Sequence, residues 1–183
     1  MSLSWLPNAI TIARILLIAP VLWLILDEQC AEALALFVLA GFSDGLDGFL
    51  ARRFNWHSRL GGLLDPIADK LLVAGMFVTL TITGAIPLWL TVIVVARDVT
   101  ILGGATAYHF LIGPVPGEPT MIGKFNTAVT LGYVFMVLCQ LATGWPPDWL
   151  LIVLGAATFV TVAISGIDYV VSWSQRARQE RTA

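Results

Sequence analysis

Six apolar runs, each about the length that crosses a bilayer, follow one another along this chain of 183 residues, at 9–26, 32–53, 62–83, 87–111, 120–143 and 147–172. A membrane-spanning helix needs about 20 consecutive, mostly apolar residues. Composition agrees: 58% of the residues are hydrophobic and 12% charged, against about 45–50% and about 25% in soluble domains. A core this small cannot bury that much apolar surface, so lipid must solvate the rest. The expected fold is an all-α integral membrane protein with six transmembrane helices. A short interfacial helix at 2–6, with Trp5 in the headgroup layer, is expected before them.

The breaks between runs are marked by residues that stop helices. Asp27-Glu28-Gln29 closes the first run, 55–59 separates the second from the third, and 84–87 reads as a tight turn. Gly113-Pro114-Val115-Pro116-Gly117 and Gly144-Trp145-Pro146-Pro147 supply the last two breaks. No linker or repeat divides the chain, so residues 1–183 are expected to form one domain with a cytosolic tail from about residue 173. Met1–Pro7 has no basic n-region and no small-residue cleavage site, so no cleaved signal peptide is expected.

Charge fixes the orientation. Arg52, Arg53 and Arg59 flank the second break, Lys124 opens the fifth run, and Arg176, Arg178 and Arg181 follow the sixth. The connections at 27–31, 84–86 and 144–147 contain no Lys or Arg. By the positive-inside rule both termini face the cytosol. Trp5, Trp56 and Trp173 then sit at the inner interface, and Trp23, Trp89, Trp145 and Trp149 at the outer one. A net charge of −2 gives no reason to expect a nucleic-acid partner. Cys30 and Cys139 lack metal-ligand spacing and read as small apolar fillers.

Against this background the acidic residues at the second break are expensive. An ionisable group inside a span costs about 2.5–3.5 kcal/mol on insertion scales, yet Asp44, Asp47, Asp65 and Asp69 lie where the second run ends and the third begins. Asp44 and Asp47 are three apart and share one helix face; Asp65 and Asp69, four apart, share another. Antiparallel neighbours joined by a short loop would let the two pairs converge. Four converging carboxylates repel unless cations lie among them, and an all-oxygen ligand set suits Mg²⁺, Mn²⁺ or Ca²⁺. Gly48 and Gly61 share the carboxylate faces and would let a ligand approach the backbone, whereas Gly45 reads as a packing residue. Pro66, which donates no amide, places the start of the third helix within a turn of Asp65. Two other readings fit generic spacing: salt bridges to Arg14, Arg52, Arg53, Lys70 and Arg97 as packing devices, or an ion path in a cation transporter. The apolar outer halves of the runs disfavour the transporter.

Residues 44–69 read D-x2-D-G-x2-A-R-x8-G-x3-D-x3-D. This pattern resembles the signature of the CDP-alcohol phosphatidyltransferases, and the six-run layout extends the resemblance over nearly the whole chain. Pro7–Arg14, Leu64–Lys70, Ala96-Arg97-Asp98 and Pro119–Thr127 are similar to the glycerol-acceptor branch, which holds phosphatidylglycerophosphate synthases and single-signature cardiolipin synthases. The resemblance implies transfer of a phosphatidyl group from CDP-diacylglycerol to a glycerol-type alcohol, with release of CMP. It implies two divalent ions, Mg²⁺ or Mn²⁺, held by Asp44, Asp47, Asp65 and Asp69, with Asp69 also the general base. It places Gly48, Ala51, Arg52 and Gly61, together with Thr11 and Arg14, at the CDP-lipid, and Arg97, Lys124 and Asn126 at the acceptor. It also implies a homodimer in a bacterial cytoplasmic membrane, or in the mitochondrial inner membrane as the second option.

Two departures bear on the acceptor. Glycerol 3-phosphate is dianionic and calls for converging basic groups, but no second basic residue follows Arg97-Asp98 in 99–105. The fifth run has Lys124-Phe125-Asn126-Thr127, similar to the Lys-x-Asn-Thr of mitochondrial-type cardiolipin synthases. Both favour phosphatidylglycerol as acceptor, giving cardiolipin, with glycerol 3-phosphate as the alternative. His57 is expected to be solvated in a cytosolic loop and His109 to be structural. Asp168, nearly alone in the sixth run, is expected to pair with an arginine or lie at a dimer interface.

Overall fold

The structure is a computed structural model that describes residues 6–54, 59–111 and 121–181; side chains are described outside 6–11, 44, 46–67, 105, 107–111, 170 and 173–181. Among the described residues the chain is all helical: α1 Leu6–Leu26, α2 Cys30–Phe54, α3 Arg59–Ile82, α4 Leu88–Leu111, α5 Met121–Thr143 and α6 Asp148–Arg181. Each helix covers one of the six apolar runs. The piece expected at 2–6 lies, but for Leu6, outside the described residues, as does His57.

Two boundaries differ from the sequence reading. Helix α3 starts at Arg59, six residues before Asp65, so Pro66 stands inside the helix rather than in its first turn. Its ring cannot donate to the Gly62 carbonyl four residues back, and a membrane-type helix tolerates that loss where neighbouring groups take up the carbonyl. Helix α6 does not stop at 172; it runs on to Arg181, 34 residues in all. At 1.5 Å per residue that is about 51 Å, so the tail expected from residue 173 is a helical extension.

The helix ends are set by local chemistry. After α3, the Gly84 amide donates to the Thr81 carbonyl at 3.0 Å and the Ala85 amide to that of Leu80 at 2.9 Å. This double closure needs a left-handed residue after the helix, and Gly84 has φ +79°. The end of α1 uses the same closure with Glu28 at φ 59°: the Glu28 amide reaches Ile25 and the Gln29 amide reaches Leu24. A side chain at positive φ is strained.

The chain divides into two compact units. The first comprises Met1–Ile86 with Val134–Pro147, and in it α2 and α3 each pack on α1. One stripe of α1 (Arg14, Ile18, Val21, Ile25) is buried, as are Ala33, Phe37 and Ala40 of α2 and Ala68, Leu72, Met76 and Leu80 of α3. Gly75 lets the seam close: a Cβ there would stand 2.9 Å from Leu22 Cδ1.

The second unit comprises Pro87–Tyr133 with Asp148–Ala183. Here α4 packs on α6, with Leu90, Val94, Thr158, Val162 and Ser165 buried between or beside them. Trp89 meets Phe159 edge to face at 5.8 Å between ring centroids. Tyr133 of α5 lies 3.4 Å from where a Cβ on Gly155 would be. Helices α5, over Met121–Thr143, and α6, over Asp148–Tyr169, are long and apolar enough to cross a membrane. Large apolar side chains stay outside the packed seams in both units, among them Leu16, Trp23 and Ile82 in the first and Ile152 in the second.

Candidate functional site

The carboxylate motif is carried by the first unit. Asp44 and Asp47 fall on the last three turns of α2, and Asp65 and Asp69 on α3. Gly48, Ala51 and Arg52 follow on α2, Gly61 is in α3 and Thr11 in α1. Helical backbone through both motif halves keeps each aspartate pair on one face, three and four residues apart. The side chains of Asp44, Asp47, Asp65, Ala51, Arg52 and Thr11 lie outside those described. Among the described residues no three carboxylate, His or Cys side chains come together, since of the four aspartates only the Asp69 side chain is described.

Two expected site residues do meet. Arg14 Nη1 on α1 lies 3.5 Å from Asp69 Oδ1 on α3. The arginine side chain is 1% exposed, whereas that of Asp69 is 49% exposed. Arg14 occupies the place where the buried apolar stripe of α1 would otherwise continue toward the helix start. A fully buried guanidinium beside a half-open carboxylate fixes the direction of that carboxylate and leaves part of its surface accessible.

The acceptor residues expected from the sequence lie in the second unit. Arg97 of α4 is nine-tenths buried. Its Nη1 donates to Asp98 Oδ1 and its Nη2 to Ser165 Oγ on α6, both at 2.6 Å. The guanidinium carbon stands 5.7 Å from the centre of the Tyr169 ring, within cation–π range, and the Arg97 stem passes Gly166. Asn126 is buried and Lys124 exposed on α5. An arginine-lined cavity of about 420 Å³ opens beside this seam, walled by Ile93, Val162, Ile167 and Val171. Ser165 and Tyr169 were not singled out by sequence. The signal available was a polar stripe, Thr158, Thr161, Ser165 and Asp168, on one face of an otherwise apolar helix. Asp168 takes no arginine among the described residues; Arg97 pairs with Asp98 instead, and Asp168 Oδ2 is buried without a hydrogen-bond partner.

The family model for CDP-alcohol phosphatidyltransferase matches residues 4–167. The chain belongs to that family. The resemblance read from the aspartate motif is thereby borne out, and membership displaces the ion-path alternative. The chain is similar to cardiolipin synthase (CMP-forming) of Rattus norvegicus, 37% identical over 89% of this chain and 59% of that protein. It is similar to the enzyme of that name from Streptomyces coelicolor, 38% identical over 76% of this chain and 67% of the relative. It also resembles the CDP-diacylglycerol--glycerol-3-phosphate 3-phosphatidyltransferase of Aquifex aeolicus, 30% identical over 89% of this chain and 92% of that one. The chain spans about 60% of the length of the mammalian relatives it matches.

Phosphatidyltransferases of this family generally depend on divalent metal, and the family is membrane-associated. The donor chemistry here fits such an ion. The motif offers only carboxylates, which suit hard cations, and the described one, Asp69, keeps half its surface open beside a buried arginine.

Proposed function

We propose that this chain transfers a phosphatidyl group from CDP-diacylglycerol to phosphatidylglycerol, giving cardiolipin and CMP. The observation that carries the reading is the Arg14–Asp69 pair at 3.5 Å, which joins two residues of the expected site across α1 and α3. The named relatives support it, since those called cardiolipin synthase are 37–38% identical in the rat, human and Streptomyces proteins.

In this reading Asp44, Asp47, Asp65 and Asp69 hold two divalent ions, Mg²⁺ or Mn²⁺. Such ions, when bound, neutralise the diphosphate and the charge that develops on departing CMP. The chain's own groups do the rest. Arg14 orients Asp69, and Asp69 takes the proton from the acceptor hydroxyl. The hydroxyl oxygen bonds to the phosphatidyl phosphorus as the phosphorus–oxygen bond to CMP breaks. Arg52 engages the nucleotide phosphates, with Gly48, Ala51, Gly61 and Thr11 against the CDP-lipid. The acyl chains of both lipids stay in the bilayer.

All six helices span the membrane in a single membrane domain, with the carboxylates and both termini on the cytosolic side. The membrane is a bacterial cytoplasmic membrane, and the chain is a homodimer. Exposed Leu16, Trp23, Ile82 and Ile152 then face lipid, and the basic end of α6 projects into the cytosol. Glycerol 3-phosphate is the second acceptor reading. The Aquifex relative, matched over 92% of its length, favours it.

The test is CMP release by purified protein with Mg²⁺ and CDP-diacylglycerol, offered phosphatidylglycerol or glycerol 3-phosphate in parallel. Release is expected with phosphatidylglycerol, and chelation should stop it. Release with neither acceptor would sink the transfer reading, and release with glycerol 3-phosphate alone would exchange the acceptor.

A further inference from the structure

Arg97 is a charged residue among the apolar residues of α4, and its side chain is nine-tenths buried. Its own helix supplies one partner, Asp98, on Nη1. Two more come from α6. Ser165, itself buried, accepts from Nη2 at 2.6 Å, and the Tyr169 ring lies 5.7 Å from the guanidinium carbon. The arginine stem runs alongside Gly166, where a Cβ would stand 3.7 Å from Arg97 Cγ. Ser165 and Tyr169 are four residues apart and so share one face of α6.

Charge balance does not account for these two residues. Asp98 already supplies the counter-charge, and a hydroxyl and a ring face add none. What they add is direction. A hydroxyl oxygen bonds well only to an N–H aimed at it, and a ring attracts a cation that stands over its face. The guanidinium is thereby held at both terminal nitrogens and against one ring. An arginine side chain loses much rotamer freedom when a ligand fixes it, so one that is already fixed binds with less to lose. Arg97 also lines the cavity of about 420 Å³ beside the seam, and its Nε meets no hydrogen-bond partner among the described residues. We infer that Ser165 and Tyr169 are positioning residues, which act through Arg97 by holding its guanidinium in the orientation that meets the acceptor headgroup. This rests on the phosphatidyl-transfer reading and on the place that the family resemblance gives Arg97. The new element is the part played by α6, and Tyr169 lies beyond the residues 4–167 that the family model matches.

Steady-state kinetics of CMP release by the purified full chain test this, with phosphatidylglycerol and CDP-diacylglycerol varied in turn in mixed micelles. The variants are Ser165→Ala, Tyr169→Leu and the ring-keeping Tyr169→Phe, each alone and in an Arg97→Lys background. Losing a hydrogen bond to a charged group should raise the KM for phosphatidylglycerol about 10-fold or more in Ser165→Ala. Tyr169→Leu should raise it about threefold or more, and Tyr169→Phe less than twofold. In each, kcat and the KM for CDP-diacylglycerol should stay within about twofold, as expected when only acceptor binding is weakened. Arg97→Lys should itself raise the KM for phosphatidylglycerol, because an ammonium lacks the planar fork. In that background Ser165→Ala and Tyr169→Leu should add less than twofold, since residues that act through a third lose their effect without it. Full additivity there would overturn the inference, as would an unchanged KM for phosphatidylglycerol in Ser165→Ala and Tyr169→Leu. Parallel rises in both KM values with a lower thermal unfolding midpoint would overturn it as packing damage. Arg97→Lys without any effect would remove Arg97 from the acceptor and the inference with it, leaving the transfer reading intact. A natural chain that releases CMP with neither phosphatidylglycerol nor glycerol 3-phosphate refutes the transfer reading instead.

Discussion

Replacing Arg14 by Met removes the guanidinium that lies 3.5 Å from Asp69 while keeping most of its buried volume. At an effective dielectric of about 20, unit charges at that separation attract by about 5 kcal/mol. Asp69 is 49% exposed, so water screens the pair, and about 2 kcal/mol of coupling is expected to survive. The single substitution also removes the cost of burying a charge, so its own effect on stability should be small. The coupling is therefore best read from a double-mutant cycle of Arg14→Met and Asp69→Asn, unfolded reversibly in mixed detergent. The two single changes should fail to add by about 2 kcal/mol. The same 2 kcal/mol, spent on orienting the base, corresponds to about a 30-fold fall in CMP release for Arg14→Met. Additivity within about 0.5 kcal/mol, or a fall in release below threefold, would refute a working pair. Arg14→Lys restores charge without the planar fork and should recover part of the loss.

Asp69→Asn should lower CMP release by at least about 100-fold while largely preserving CDP-diacylglycerol binding; equal loss of both would make Asp69 chiefly a metal ligand. Glu28→Gly relieves a non-glycine residue at φ 59° and should stabilise the α1–α2 corner by about 0.5–1 kcal/mol, the strain relieved less the greater freedom of glycine when unfolded. A lower unfolding midpoint for that variant would mean that the side chain of Glu28 contributes more than its backbone strain costs.

Much of the helix layout was legible because its punctuation is chemical. Asp27-Glu28-Gln29, Gly84 and Gly144-Trp145-Pro146-Pro147 each stop a helix for a reason readable from one sequence, and α1, α4 and α5 begin or end within a few residues of the expected positions. The two misplaced boundaries arise from weighing local signals too heavily. Pro66 prefers a first turn, but that preference is only a propensity, and α3 extends back to Arg59. Residues 173–181 look like a tail because they are polar, yet they hold Gln, Arg, Ala and Glu with no Gly or Pro, and such residues prolong a helix already nucleated.

The site divides along the same line. The aspartate pattern is local, so its spacing could be read directly, and the Arg14–Asp69 pair adds the one long-range relation that spacing alone could not supply. The surroundings of Arg97 were not legible, since they depend on the register of α4 against α6 across 68 residues of sequence. Neighbours in a helix do not ordinarily face each other, so Arg97-Asp98 did not announce an ion pair either. Sequence argued against the dianionic glycerol 3-phosphate from cations that are missing. The packing bears on the same point, because Asp98, on one terminal nitrogen of Arg97, offsets part of the charge that a dianionic acceptor would need. Both arguments turn on Arg97 and Asp98 and neither uses the aspartate motif, so the proposed acceptor rests on residues outside that motif.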